Sequence, residues 1–369
     1  MASRRLYLFL AAVFLLTSFL LVPQAIAAPS ALYLSFTVPG SAATYPLSIN
    51  KDLTVTGYYI DKSGNTHGFV RRLGGQITTF DIPGSVLTKP VSINAAGEIT
   101  GYYEIAGEAP NTLGFTREPD GAITTFGTTT YPSNFPAQPV AINNAGEVVG
   151  NFPQAGLGSE AFVRSSTGTV QMFSITIGAA YSTFLTAVNA NGAVVGYGGS
   201  DDLASARGLL WNGQPPAPSP GTGFTEISFP GSTGTFPTGI NKRGEIVGCY
   251  IIGSVYYDFL RAPDGTFTTI NPPGTVPSCL AASDSTVPGL YHLLPASVSL
   301  NNRGTIIGYT TNAAATNGFV RFPDGTITPF AIPGSSLTIP AGSISLDGLD
   351  ILTGYYTKGT KTEGFIALP

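Results

Sequence analysis

The 369-residue sequence predicts an all-β fold, a seven-bladed β-propeller of four-stranded antiparallel blades. Three observations carry that expectation. A kernel recurs seven times in which an Asn, once an Asp, stands seven residues before a Gly: Asn50/Gly57, Asn94/Gly101, Asn143/Gly150, Asn189/Gly196, Asn241/Gly248, Asn301/Gly308 and Asp347/Gly354. The kernel keeps its length while the distance between kernels runs from 44 residues (Asn50 to Asn94) to 60 (Asn241 to Asn301), as expected of a repeated core joined by variable loops. The two ends of the chain, finally, hold complementary fragments of one repeat.

Each repeat resolves into four short segments, clearest in the second. Pro90 to Asn94 is a brief extended run, and Ala95-Ala96-Gly97 a tight turn. Glu98 to Tyr103 is rich in β-branched and aromatic residues and reads as a second strand. Gly114-Phe115-Thr116-Arg117 makes the third. Pro119-Asp120-Gly121 turns the chain, Pro fixing φ and Gly free to take φ > 0. Ile123 to Phe126 is the fourth. The third-strand phrase returns around Phe69, Phe162, Phe259, Phe319 and Phe365, and the kernels begin near 46, 90, 139, 185, 237, 296 and 342.

The last repeat stops at Pro369, after its third strand. The orphan run Leu32 to Val38, followed by Pro39-Gly40-Ser41, matches Phe80-Asp81-Ile82-Pro83-Gly84-Ser85. The N-terminal strand is therefore expected to complete the seventh blade and close the ring, hiding sheet edges that an open array would expose. An outer-membrane barrel would need strands of about 9–11 residues, longer than these. A parallel β-helix would use shorter repeats.

Residues 1–27 read as a secretory signal peptide. Arg4 and Arg5 form the basic start, Leu6 to Val22 the apolar run, and Ala25-Ile26-Ala27 the small-x-small cleavage site. An uncleaved membrane anchor is the rival reading; twin-arginine export is a weaker suggestion from Arg4-Arg5. Cleavage after Ala27 leaves one domain, 28–369, in an extracellular or periplasmic location. That domain carries 15 basic and 21 acidic residues, a net charge of −6, and charged residues make up 10% of the chain. No basic cluster offers itself to phosphates, so nucleic acid is not an expected partner. No later run is apolar enough to span a bilayer as a helix.

Ile93-Asn94-Ala95-Ala96-Gly97-Glu98-Ile99-Thr100-Gly101-Tyr102, together with Glu160-Ala161-Phe162 and His67-Gly68-Phe69, resembles the extracellular HAF repeat proteins of bacteria. The resemblance covers the whole chain after residue 27. It departs in that only His67 keeps the His, with Gly in place of Ala. It implies secretion and a repeat fold, and supplies no catalytic residues.

Alternating strand direction sorts the turns onto two faces. The Asn-to-Gly turns and most Pro-Asp-Gly turns share one. The loops of variable length share the other, where binding on a rigid scaffold is usually found. Cys249 and Cys279, the only cysteines, map near that variable face and are candidates for a disulfide, with two buried thiols as the alternative. The second strands end in aromatic residues, often a Tyr pair. One of each pair should pack between blades and the other meet a ligand. Tyr59, Tyr103, Tyr250 and Tyr356 are the expected ligand contacts, with His292 from the long loop Pro272–Pro295. Asp284 and Tyr291 share that loop, but neither Gly-x-Ser-x-Gly nor His-Glu-x-x-His is present. No catalytic residue, metal ligand or cofactor is therefore assigned. The repeated Asn is expected to bond its own turn, and the Arg ending each third strand to pair with a turn carboxylate or carbonyl. Blade 4 carries Trp211 in place of that Arg and an exposed Pro-rich insertion, Pro215–Pro220, a candidate partner site.

The function these residues favour is a secreted, non-catalytic propeller that binds a glycan or a protein on its variable face. The alternatives are an extracellular lyase or hydrolase with its site at the channel mouth, and a structural surface or adhesion protein. Oligomeric state is not legible.

Overall fold

The computed structural model describes residues 32–106, 112–127, 137–154, 158–173, 182–199, 206–213, 223–270, 272, 276–277, 298–311 and 315–369. The proposed signal peptide, Cys279, Asp284, Tyr291, His292 and the segment 215–220 lie outside the described residues. Leu32–Pro369 forms one compact unit. Its regular structure, among the described residues, is entirely β.

The strands follow the kernels. Repeat 1 comprises Ser41–Ile49, Val55–Asp61, Thr66–Arg71 and Ile77–Phe80; repeat 2, Ser85–Ile93, Ile99–Ile105, Thr112–Arg117 and Ile123–Phe126. Repeat 3 comprises Gln138–Ile142, Val148–Gln154, Gly158–Arg164 and Val170–Phe173; repeat 4, Ser182–Val188, Val194–Gly199, Arg207–Trp211 and Thr225–Ile227. Repeat 5 comprises Gly234–Ile240, Ile246–Ile252, Val255–Arg261 and Phe267–Ile270; repeat 6, Val298–Leu300, Ile306–Thr311, Thr316–Arg321 and Ile327–Phe330. Repeat 7 supplies Leu337–Leu346, Leu349–Lys358 and Lys361–Leu368. Repeats 3, 4 and 5 are separate four-stranded antiparallel sheets. Repeats 6, 7, 1 and 2 read as one 17-stranded sheet only because single parallel bridges join them, Thr316 to Leu337, Ala43 to Thr362 and Thr66 to Leu87. Within it every other pairing is antiparallel. The remaining short strand, Val276–Pro277, pairs with Thr310 and Thr311.

Leu32–Phe36 pairs antiparallel with Lys361–Leu368, Leu32 opposite Leu368 and Phe36 opposite Gly364. First strands of successive repeats touch one another, and the first strand of repeat 7 touches that of repeat 1. The packing at that junction repeats the packing elsewhere. Gly68 has no room for a Cβ, which would lie 2.9 Å from Phe80 and 2.9 Å from Pro90 of the next repeat. Gly364 meets the same pair of residue types, Phe36 at 2.8 Å and Pro46 at 2.6 Å. The Phe after each of these glycines, Phe69 and Phe365, is fully buried.

The repeated Asn does more than was expected of it. Its Oδ1 accepts from backbone N–H groups two and four residues on, as in Asn143 with Ala145 (2.9 Å) and Glu147 (3.0 Å). Its Nδ2 donates to the backbone carbonyl of the next repeat's Asn. The bonds run Asn50 to Asn94 (3.1 Å), Asn94 to Asn143 (3.0 Å), Asn143 to Asn189 (3.2 Å), Asn189 to Asn241 (3.0 Å) and Asn241 to Asn301 (3.2 Å). All six Asn are buried, so every donor and acceptor must find a partner. Asp347 does not continue this belt. The repeat 7 hairpin is longer, and Asp347 and Gly348 form its tip with φ of 49° and 83°. Asn301 donates instead to Asp350 Oδ1 at 2.7 Å.

Arg71, Arg117, Arg164 and Arg261 each reach the carbonyl of the next residue, as in Arg117 Nη1 to Glu118 O at 3.2 Å. Arg71 also lies over Phe36 of the N-terminal strand at 4.9 Å, and Arg117 and Arg164 lie over Phe80 and Phe126 of the preceding repeat at 4.8 and 4.9 Å. Their burial lowers the guanidinium pKa in each case.

Candidate functional site

Four entry loops on the variable face are short and locked. In Val38–Ser41, Ile82–Ser85, Phe229–Ser232 and Ile332–Ser335 the Ser N–H donates back to the first residue's carbonyl. Gly at the third place takes φ of +82°, +81°, +80° and +77°, open only to a residue without Cβ strain. A buried Thr then accepts the first residue's N–H, Thr44 from Val38 at 3.1 Å and Thr88 from Ile82 at 3.2 Å. At repeat 7 the hairpin Lys358–Lys361 is also tight, and at repeat 1 Asp61 Oδ1 holds the turn by accepting from Ser63 (2.7 Å) and Asn65 (2.9 Å).

The expected tyrosine contacts divide. Tyr103, Tyr250 and Tyr356 are buried. Tyr250 stacks on Phe229 with ring centroids 3.6 Å apart and on Tyr257 at 5.2 Å, and its hydroxyl shares a 2.8 Å hydrogen bond with Thr269. Tyr356 donates its one hydroxyl proton to Glu363 (2.5 Å) and shares a 3.0 Å hydrogen bond with Ser35, whose hydroxyl can donate in return; burial and Glu363 raise its pKa. Tyr59 is half-buried and stacked on His67 at 5.0 Å; burial raises its pKa above the usual phenol value, against a hydrogen bond with Thr79. The rings and hydroxyls of Tyr250 and Tyr356, engaged in this way, hold the sheet together and present little to a ligand. Of the four expected contacts, Tyr103, Tyr250 and Tyr356 are thus buried, and Tyr59 is half-buried like its neighbour Tyr58. His292 lies outside the described residues.

His67 itself bridges two carboxylates. Nδ1 is 2.9 Å from Asp81 Oδ2 and Nε2 is 3.4 Å from Asp61 Oδ2. Desolvation disfavours the imidazolium, but the Asp81 hydrogen bond and charge, with Asp61 behind them, outweigh it and raise the His67 pKa. Asp61 is held down to about 2, chiefly by its bonds from Asn65.

The neighbouring tyrosines are placed differently. Tyr58, Tyr102 and Tyr355 are half-buried and meet first-strand residues that periodicity did not single out, Tyr45 and Lys89. Tyr45 lies opposite Tyr58 in the ladder and stacks on it at 4.7 Å and 18°. Across the repeat 7 junction, Tyr355 meets Tyr45 edge-on at 5.0 Å. Across the repeat 2 junction, Lys89 Nζ stands 4.5 Å from the Tyr58 centroid and 5.8 Å from that of Tyr102. Tyr355, Tyr45, Tyr58, Lys89 and Tyr102 thus form a continuous arc over three consecutive repeats.

The same ladder positions are closed further round. In repeat 3, Asn151 is buried with Nδ2 donating to Leu185 O (3.0 Å) and Oδ1 accepting from Leu185 N (2.7 Å). In repeat 4, Tyr197 is buried between Phe184 (5.2 Å) and Phe236 (5.1 Å), and burial drives its pKa up. In repeat 5 the position is Cys249, fully buried. Among the described residues no group of three or more His, Cys, Asp or Glu could hold a metal ion.

Solved structures share this fold. Virginiamycin B lyase from Staphylococcus aureus is similar with a TM-score of 0.57 and 13% identity, over 92% of this chain and 100% of its own. The β-propeller domain of the Trilobed protease from Pyrococcus furiosus, which has an open velcro topology, is similar with a TM-score of 0.60 and 8% identity, over 89% of this chain and 95% of its own. These likenesses make the chain a β-propeller and carry no activity across. No protein-family model and no curated protein matches the sequence.

Proposed function

We propose that this protein is a secreted, non-catalytic propeller of seven blades in a closed ring, and that it binds a glycan on the tyrosine arc of repeats 7, 1 and 2. Closure is supported by the pairing of Leu32–Phe36 with Lys361–Leu368 and by the repeated Phe–Gly–Pro packing at that junction. Secretion is supported by residues 1–27 and by the resemblance to HAF repeat proteins, which belong to the same proposal.

The observation that carries the binding reading is the asymmetry of one ladder position. Where repeats 3, 4 and 5 bury it, repeats 7, 1 and 2 leave tyrosines half-open beneath short connections. Tyrosine offers a flat apolar face and a hydroxyl, which suit the two sides of a pyranose ring. A glycan fits better than a protein because the exposed large hydrophobics among the described residues are scattered over different repeats: Leu32, Leu34, Leu73, Val86, Val170, Ile252, Val255 and Leu349. The enzymatic alternative draws on Asp284 and His292, outside the described residues.

The test is retention on immobilised glycans and cell-wall polysaccharide by wild type and by Tyr58→Ala, Tyr102→Ala and Tyr355→Ala. Selective loss of retention by these variants, with folding intact, is the expected result. Equal retention by all of them, or none by wild type, would overturn the reading.

A further inference from the structure

We propose that the arc selects a glycan bearing carboxylates, with the Lys89 ammonium as charge partner of a uronate-type sugar stacked beside it. The inference rests on the glycan-binding reading and narrows it to a ligand class.

Lys89 is not required to build a repeat. It occupies the first-strand place opposite Tyr102, and the corresponding place in other repeats holds Tyr45, Gln138, Phe184, Phe236 and Ile339. Five different residues, none cationic, occupy that place, so the ladder itself does not call for a charge. The ammonium is also held in place. Tyr58 and Tyr102 stand on two sides of it at 4.5 and 5.8 Å, an arrangement that favours a cation while partly removing it from water. Glu104 lies on the same face, diagonal to Lys89 in the ladder. An ammonium carries three donors, so it can serve a ligand carboxylate alongside its partners in the protein. The chain carries a net negative charge, so its overall field does not draw in anions. Selection of an acidic sugar must then come from a local cation, and Lys89 is the cation within the arc. A pyranose stacked on Tyr45 or Tyr58 would bring a C6 carboxylate within reach of Nζ, where a charge-assisted hydrogen bond is stronger than one to a neutral hydroxymethyl.

The experiment compares oligomers of galacturonate, glucuronate and mannuronate with their carboxyl-reduced counterparts, matched in length, by titration calorimetry. The proteins are wild type, Lys89→Met, Lys89→Arg and Glu104→Gln. Wild type is expected to prefer at least one acidic oligomer over its reduced form about tenfold. Lys89→Met should erase that preference while still binding the reduced form, Lys89→Arg should keep it, and Glu104→Gln should leave it or raise it. Equal binding of acidic and reduced forms, or a preference that survives Lys89→Met, overturns the inference while leaving glycan binding in place. Binding of no oligomer in either form overturns both.

Discussion

Phe36 stands to Phe69 as Phe80 stands to Phe115. Both pairs are edge to face, at 6.1 Å and 6.0 Å, and in both an Arg of the later repeat lies over the earlier Phe. The first pair joins the N-terminal strand, which is laddered to the last strand of repeat 7, to repeat 1, and the second joins two ordinary neighbours. If the ring is closed, the two phenylalanines do the same work. Phe36→Ala and Phe80→Ala should then destabilise the fold by similar amounts, about 2–4 kcal/mol each for a half-buried aromatic. Urea unfolding measures both. A near-zero cost for Phe36→Ala beside a large one for Phe80→Ala would mean that the N-terminal strand contributes nothing.

The Asn belt makes a sharper prediction. Asn94 Nδ2 donates to Asn143 O and to Glu98, while Oδ1 holds its own turn. Asn94→Asp keeps the acceptor, loses the donor and sets a second carboxylate against Glu98. It should cost about 3 kcal/mol or more at neutral pH, since buried charges without a partner are expensive. Glu98→Gln in the same chain should recover part of that loss, read as a coupling in a double-mutant cycle. Strict additivity would place the two side chains apart.

Much of this was legible beforehand. The four-strand repeat, the two turn classes and the match of Val38-Pro39-Gly40-Ser41 to Ile82-Pro83-Gly84-Ser85 all follow from turn chemistry, which is local. The inter-repeat half of the Asn role was not, because the acceptor is a main-chain carbonyl some 44 to 60 residues away. Asp347 kept the kernel's spacing but sits on a longer hairpin, so equal spacing concealed a different register. The tyrosine pairs left the choice of ring open for a related reason. Alternation says that two neighbours point to opposite sides, not which side is covered. A bulge between Pro46 and Ser48 further breaks the count along the first strand. Tyr45 and Lys89 carry no repeated signal at all. Only the cross-strand pairing of Tyr45 with Tyr58 and Lys89 with Tyr102 would have found them.

The His67 bridge sets a pH dependence. Its folded pKa is raised, so the stability it contributes is fully present below the ordinary histidine value of about 6.5. It is lost as pH rises through the folded value. The groups acting on the imidazole are Asp61 and Asp81. The melting temperature of wild type should therefore exceed that of His67→Gln most at mildly acidic pH, with the gap narrowing towards pH 8. A gap that stays constant or widens with pH would contradict the bridge.

The disulfide between Cys249 and Cys279 belongs to the proposal as well. Cys249 is fully buried at the ladder position of Tyr58 and Tyr102. Closing a loop of about 30 residues would contribute about 3–4 kcal/mol in the chain-entropy account. Unfolded protein should show no titratable thiol without reductant and two with it. Two thiols without reductant would exclude the bond.

Affinity at the arc tests the central claim most directly. Wild type, Tyr58→Ala, Tyr355→Ala and the buried-site control Tyr250→Phe are titrated with the glycan that wild type retains best. The account predicts that the two arc variants weaken binding at least tenfold. Tyr250→Phe should bind as wild type while losing about 1 kcal/mol of stability with its Thr269 hydrogen bond. Unchanged affinity in Tyr58→Ala and Tyr355→Ala would place the ligand elsewhere and contradict it.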